Sequence, residues 1–228
     1  MLGERLVMQP RLGGRLLVRS GRALLRTRLV PAVVVVCALV SLQISSIWAA
    51  RADGPQHQLQ LCCAWGKSLA DGTLTYSLAV ADGPSLNVIR SVLRQWDDAL
   101  SFVSFVEVPA GQPADITIRF AQRDGGTEGE TLTIFNRRGI INRVEVTVDG
   151  PLAPANAGGI EQVTKHEIGH ALGLGHANFQ GDLMYPMVYP VSGPMSACDL
   201  NGVVEANRWR MVDGRKSARP PAVSQINC

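Results

Sequence analysis

The spacing of apolar and polar positions along the chain predicts one domain that combines strands and helices. Apolar residues alternate with polar ones in five short segments, which is typical of strands with one buried face: 74–80, 102–108, 115–120, 131–135 and 141–148. Apolar spacings of three and four predict an amphipathic helix over about residues 85–100. Two further helices are expected over about 160–172 and 197–209. We therefore expect an α+β fold with helices packed on a twisted sheet.

The N-terminal residues differ in composition from the rest of the chain. Leu29 to Ala50 carries no charge and follows seven arginines, which predicts a signal peptide or an uncleaved membrane anchor over residues 1–52. The stretch is long enough for either, since a span needs about 20 apolar residues. An organelle transit peptide is the third alternative. We divide the remainder into a leader (53–72), a main domain (73–212) and a C-terminal tail (213–228).

The formal charge of +3 comes from this N-terminal segment. From Gly54 onward the chain has 14 basic and 17 acidic residues, a net charge of −3. No basic stripe of the kind that nucleic-acid binding requires is present in the sequence. Nucleic acid is therefore not an expected partner, and membrane contact is expected only through the N-terminal segment.

Four cysteines follow the apolar stretch: Cys62, Cys63, Cys198 and Cys228. An even number in an exported domain predicts two disulfides, with free buried thiols as the alternative. Neighbouring cysteines rarely bridge each other, because the required Cα separation and torsion are hard to reach. Both remaining pairings would join the N-terminal segment to the C-terminal segment.

Residues 166–176 read His-Glu-Ile-Gly-His-Ala-Leu-Gly-Leu-Gly-His and hold three of the chain's four histidines. On a helix, His166 and His170 project from one face and can share a metal, and Glu167 can reach a water on that metal. Gly173 can end the helix in the left-handed conformation, and the reversal would return His176 as third ligand. Three protein ligands leave one zinc position open for water, which is the catalytic arrangement.

Other interpretations of these residues exist. The two histidines and the glutamate alone would fit a helix without metal, and a cysteine could close a structural zinc site as fourth ligand. The same three ligands would also allow two other functions for this chain: a zinc-binding interaction module without activity, or a hydrolase of a non-protein amide.

The motif, followed by Leu183-Met184-Tyr185-Pro186, resembles the metzincins and among them the matrixins. The resemblance implies a zincin-like fold with a twisted five-stranded mixed sheet, three helices and a zinc cleft between an upper and a lower subdomain. It implies a zinc endopeptidase in which Met184 forms the floor under the metal. It also implies an extended peptide substrate along residues 131–135, and the substrate contacts it suggests are Thr131, Ile134, Tyr185, Pro186 and Tyr189.

The chain departs from the matrixin pattern in several places. The segment between Phe120 and Thr131 is short and has no histidine, so a second zinc is not expected. Calcium binding there is doubtful, although Asp124, Glu128 and Glu130 are candidate ligands. Cys198 replaces the first of two family aspartates. A disulfide from Cys62 or Cys63 to Cys198 would then take the place of a charge pair.

Together these observations predict an exported zinc endopeptidase, either secreted or anchored with its catalytic domain outside. The expected partner is a protein or peptide substrate, and the chain is expected to be a monomer.

Overall fold

The fold is seen in a computed structural model, which describes residues 56–79, 83–121, 128–149, 157–187, 193–212 and 218–228. The predicted signal or anchor segment lies outside these residues. Within the described ranges, no helix is both long and apolar enough to cross a membrane.

A six-stranded mixed sheet forms the larger layer, in the order β2-β7-β5-β3-β4, and the sixth strand, β6, also pairs with β7. All neighbours are parallel except β6 and β7. The strands are β2 (Ala64–Trp65), β3 (Thr73–Leu78), β4 (Ser104–Val108), β5 (Ile116–Ala121), β6 (Glu128–Phe135) and β7 (Ile140–Asp149). Because β6 pairs only with β7 among the described strands, its second edge is available for another strand.

Two helices cover one face of this sheet, α1 (Pro84–Ala99) and α2 (Ala157–Ala171). The inward positions of α1 include the fully buried Trp96, and those of the sheet include Ile116, Ile118 and Val146, all fully buried. The apolar face of each strand and of α1, which the sequence pattern defines, is thus buried between the sheet and the helices. This burial is the main contribution to the stability of the fold.

A second sheet of three antiparallel strands lies beside the zinc motif, in the order β8-β1-β9. It comprises β1 (Gln58–Leu61), β8 (Leu174–Ala177) and β9 (Gln225–Asn227). The remaining helical elements are α3 (Ala197–Ala206), α4 (Trp209–Val212) and a short 3₁₀ helix (Lys67–Asp71). Residues from the segments predicted as leader and tail thus supply β1, β2 and β9.

Asn207 connects α3 to the end of α2. Its side chain is completely buried, accepts a bond from the Trp65 backbone N–H (2.9 Å) and donates to the Leu172 carbonyl (3.0 Å). Trp65 Nε1 in turn donates to the Ala171 carbonyl at 2.8 Å. Two carbonyls at the C-terminal end of α2, which have no partner within the helix, are therefore satisfied by side chains.

All five predicted strands and all three predicted helices are present, and β2 adds a two-residue sixth strand. The α+β fold class is confirmed. Three boundaries differ by three residues: the strand predicted over 131–135 begins at Glu128, the helix predicted over about 160–172 begins at Ala157, and the helix predicted over about 197–209 ends at Ala206. The first of these has a clear cause. Pairing with the end of β7 extends the strand further than its own sequence indicates.

The expected disulfide pairing is wrong. The structure joins Cys62 to Cys63 and Cys198 to Cys228, so neither N-terminal cysteine reaches Cys198. The physical reason is the position of β9, whose pairing with β1 brings Cys228 to the first turn of α3, 5.5 Å from Cys198 between Cα atoms. The N- and C-terminal segments are still joined, but by the β1–β9 backbone bonds.

Candidate metal centre

Helix α2 carries the first two predicted ligands and ends directly after them. Its last turn closes with a bond from the Gly173 N–H to the His170 carbonyl, and Gly173 has φ +101°, which favours glycine. A Cβ at this position would also overlap the Cys63 carbonyl. The chain then reverses into β8, whose backbone pairs with β1 and carries His176.

His166, His170 and His176 come together as predicted. One ring nitrogen of each lies within 4.8 Å of the others, and no other group of three or more His, Cys, Asp or Glu residues in the described ranges could hold a metal. The side chains of His166 and Glu167 are buried, whereas that of His176 is exposed to solvent. Because Cys62, Cys63 and Cys198 are in disulfides, a cysteine as fourth ligand is excluded.

Backbone carbonyls orient two of the rings. Nδ1 of His166 lies 2.7 Å from the Leu183 carbonyl, and Nδ1 of His170 lies 2.9 Å from the Leu174 carbonyl. A nitrogen facing a carbonyl must carry the proton, so Nε2 of each ring keeps its lone pair for a metal. This arrangement of neutral imidazole donors fits zinc.

Burial makes the same rings hard to protonate. It lowers the pKa of His170 to about 3, and the neighbouring His166 adds to this effect. Burial is also the main cause that lowers the pKa of His166 and of His176. Near neutral pH all three rings are therefore in the uncharged form that binds metals.

The Glu167 side chain contacts strand β6. Its Oε2 accepts a bond from the Thr131 hydroxyl at 2.6 Å, and its carbonyl oxygen lies 3.1 Å from the same hydroxyl. A Cβ on Gly129 would overlap the Glu167 carboxylate, so this close approach requires glycine. Burial raises the pKa of Glu167 to about 7, although the Thr131 bond acts in the opposite direction.

The turn at Met184 packs against helix α2 and strand β8. The Met184 side chain is completely buried, and a Cβ on Gly169 of α2 would lie 2.5 Å from its sulfur. The Met184 carbonyl accepts from the Ala177 N–H at 2.8 Å, next to His176, and its N–H donates to Asp182 Oδ1 at 2.9 Å. The turn is thus bonded to the strand that carries the third ligand.

The other predicted residues are placed as follows. Ile134 is half-buried in β6, Tyr185 is half-buried after the turn, and Pro186 is exposed. Tyr189 and Asp124 lie outside the described residues. Their roles, and calcium binding with Glu128 and the exposed Glu130, stay predictions.

Sequence comparison supports the geometry. The sequence model of the matrixin family matches residues 144–205, which include α2, all three histidines and the Met184 turn. In this region the chain is similar to the matrixins, a group of metzincins. The metal of this family is zinc, in agreement with the donor set described above.

Several proteins are similar to this matrixin-like chain. Karilysin of Tannerella forsythia is 28% identical over 178 residues, 62% of this chain and 37% of karilysin. The hatching enzyme of Paracentrotus lividus is 33% identical over 111 residues, 43% of this chain and 18% of that enzyme. Metalloendoproteinase 1-MMP of Arabidopsis thaliana is 31% identical over 138 residues, 52% of this chain and 38% of that protein. The matches thus span well under half of each relative.

Solved structures are more distant. Myroilysin is 12% identical, with a TM-score of 0.41, and the match covers 64% of this chain and 96% of that chain. Archaemetzincin from Methanopyrus kandleri is 14% identical with a TM-score of 0.37, and the match covers 58% of this chain and 94% of archaemetzincin.

Proposed function

We propose that this chain is a zinc-dependent endopeptidase that hydrolyses peptide bonds with Glu167 as general base. The observation that carries the proposal is the juxtaposition of three neutral imidazoles with a buried carboxylate on the helix turn between two of them. Three protein ligands and a neighbouring base are the arrangement of a catalytic rather than a structural zinc site. The similarity to proteins named metalloendoproteinases points the same way.

His166, His170 and His176 would hold the ion, which when bound acidifies a water and polarises the scissile carbonyl. Glu167 would take the proton from that water and pass it to the leaving amine. Thr131 holds the carboxylate in place, and Gly129 leaves room for it beside β6. The carbonyls of Leu183 and Leu174 keep the two ring tautomers fixed through the cycle.

The free edge of β6 supports an extended peptide as substrate. An added strand would form backbone bonds along this edge, and its position beside Glu167 would bring a peptide bond to the metal. Ile134, Tyr185, Pro186 and Tyr189 are the proposed side-chain contacts, with an apolar residue preferred just after the cleaved bond.

The proposed location is outside the cytoplasm, either secreted or anchored. The basic and apolar residues 1–52 support export, and two disulfides fit an oxidising compartment. Expression of the tagged full chain followed by fractionation tests this point, and recovery of all the protein in the cytoplasm would contradict it.

The enzyme test compares wild type with Glu167→Ala on a peptide library. We expect the variant to keep stoichiometric zinc and its fold but to lose about 10²–10⁴-fold in kcat, since it lacks only the base. Chelator should abolish wild-type cleavage, and added zinc should restore it. A zinc-replete wild type that cleaves no peptide would point to a binding module or to a non-protein amide substrate.

A further inference from the structure

Glu130 is an exposed acidic residue in the part of strand β6 that contacts the proposed base. Its two neighbours in the strand, Gly129 and Thr131, are the residues of β6 that approach the Glu167 carboxylate. The edge of β6 at Glu130 is therefore next to the carboxylate that the proposed reaction uses. No role in the reaction described above requires a negative charge at this position.

Glu130 and Thr131 lie on opposite faces of the sheet, because successive side chains of a strand alternate. Thr131 pairs in register with Val146, which belongs to the buried face of the sheet and is completely buried. Glu130 pairs with Thr147, which is half-buried on the other face. The cross-strand neighbour of Glu130 within the protein is therefore uncharged.

The charge of Glu130 has no counter-ion in the described part of the chain. Arg119 and Arg143 lie on the same face of the sheet, but both contact Glu145, at 3.7 and 3.1 Å. The charge of Glu130 nevertheless acts on the metal centre. Burial is the main cause that raises the pKa of Glu167 to about 7, and the nearby Glu130 acts in the same direction. This end of β6 thus presents an uncompensated negative charge.

A peptide strand added to the second edge of β6 would place one of its own side chains beside Glu130. Residues directly opposite each other on neighbouring strands point to the same face, with Cβ atoms about 4.5–5.5 Å apart. Since residues 129 and 131 approach Glu167, the peptide residue opposite Glu130 lies within about two residues of the cleaved bond. A cation at that position is attracted by Glu130, and an anion is repelled.

We propose that Glu130 is a specificity-determining residue that selects peptides with a lysine or arginine side chain opposite it on the added strand. The inference rests on the proposed peptidase function and names a substrate class for the same site. It concerns one position of the substrate, which is defined by its contact with Glu130. It predicts a choice between charged and neutral peptides that follows the sign of the charge at residue 130.

The test uses the zinc-loaded full-length chain and a set of peptides that share one sequence of uncharged residues. In each peptide one residue close to the cleaved bond is glutamine, lysine or glutamate. Mass spectrometry identifies the cleaved bond, and kcat/KM is measured without added calcium, because Glu130 is also a candidate calcium ligand. The variants are Glu130→Gln, which keeps the side-chain size but removes the charge, and Glu130→Lys, which reverses the charge.

For wild type we expect lysine at one position to raise kcat/KM about two- to fivefold over glutamine, as for an exposed cross-strand pair of opposite charges. Glutamate at the same position should lower kcat/KM. The preference should disappear in Glu130→Gln and reverse in Glu130→Lys, and added salt should weaken it in wild type, because exposed charges are screened. Asp98→Asn is the matched control: it removes an exposed charge from α1 and should keep the wild-type preference.

Equal kcat/KM values for the lysine and glutamine peptides at every position in an active wild type would overturn the inference and leave the peptidase proposal standing. A lysine preference that survives in Glu130→Gln, or that Asp98→Asn abolishes equally, would also overturn it, since Glu130 would then not be its source. If Glu130→Lys does not fold or bind zinc, the comparison with Glu130→Gln decides the result. A zinc-loaded wild type that cleaves neither these peptides nor a library would instead contradict the peptidase proposal.

Discussion

Among single residues, Thr131 has the most direct contact with the proposed base. Its hydroxyl lies 2.6 Å from Glu167 Oε2, and the Glu167 side chain is buried while Thr131 is half-buried. We expect Thr131→Val, which keeps the shape but lacks the hydroxyl, to lower kcat by about tenfold, because the carboxylate loses a charge-assisted bond that orients it. Steady-state kinetics on a peptide substrate measure kcat and KM separately.

Thr131→Ser is the control for this prediction, because it restores the hydroxyl. It should recover most of the activity, and both variants should bind zinc stoichiometrically. A serine variant as slow as the valine variant would show that the methyl group, and not the bond, is what matters.

The metal ligands could be predicted from single residues because they lie close together in the sequence. Three histidines and a glutamate within 11 residues acquire their geometry from one helix and one glycine turn. The environment of Glu167 could not be predicted in the same way. Gly129 and Thr131 are more than 30 positions away, and only strand β6 brings them to the carboxylate. A glycine in a strand can indicate such a close approach, but Gly129 lies before the strand that periodicity predicts over 131–135.

Among the elements, the turn that ends α2 decides whether the third ligand is in place. Gly173 combines φ +101° with a backbone carbonyl, that of Cys63, where a Cβ would lie. We expect Gly173→Ala to lower the free energy of unfolding by about 2 kcal/mol or more, since both backbone strain and overlap oppose it. Zinc affinity should fall as well, because His176 follows this turn. Urea unfolding and zinc titration are the measurements.

Gly181→Ala separates these two effects. Gly181 has a similar φ of +94°, but no atom of the described residues lies within 4 Å of the position that a Cβ would take. Its cost should be limited to backbone strain, about 1 kcal/mol, with zinc affinity unchanged. Equal costs at the two glycines would show that the contact with Cys63 is unimportant.

Strands β1 and β9 illustrate why some elements escape prediction. They have four and three residues, too few for alternation to be recognised, and neither pairs with a neighbour in sequence. β1 lies between residues 174–177 and 225–227, so it exists only because distant segments pair with it. The disulfide pairing depended on the same contact, and for this reason spacing alone gave the wrong pairing. By contrast, the longer strands and α1 bury one face and could be located from periodicity.

For the whole molecule, the contact between the Met184 turn and α3 predicts a pH-dependent stability. Asp199 is completely buried at the start of α3, and burial together with the nearby Asp182 raises its pKa to about 7. The unfolded chain would ionise this carboxyl near its ordinary pKa of about 3.9. Between these values the folded state binds more protons than the unfolded state, so stability falls as pH rises from about 4 to 7 and is level above 7.

Asp182→Asn should reduce this loss of stability with rising pH. The amide oxygen can still accept from the Met184 N–H, and the amide nitrogen can donate to the neighbouring Asp199 carboxylate. We therefore expect the variant to be more stable than wild type at pH 8, by about 1–3 kcal/mol, and close to it at pH 4.5. Urea unfolding at several pH values with saturating zinc measures the difference, in which the histidine titrations common to both proteins cancel.

Asp182→Ala is the control: it removes the acceptor for the Met184 N–H and should not share the full gain at pH 8. A stability difference between wild type and the Asp182→Asn variant that stays constant from pH 4.5 to 8 would show that the Asp182 carboxylate does not raise the pKa of Asp199.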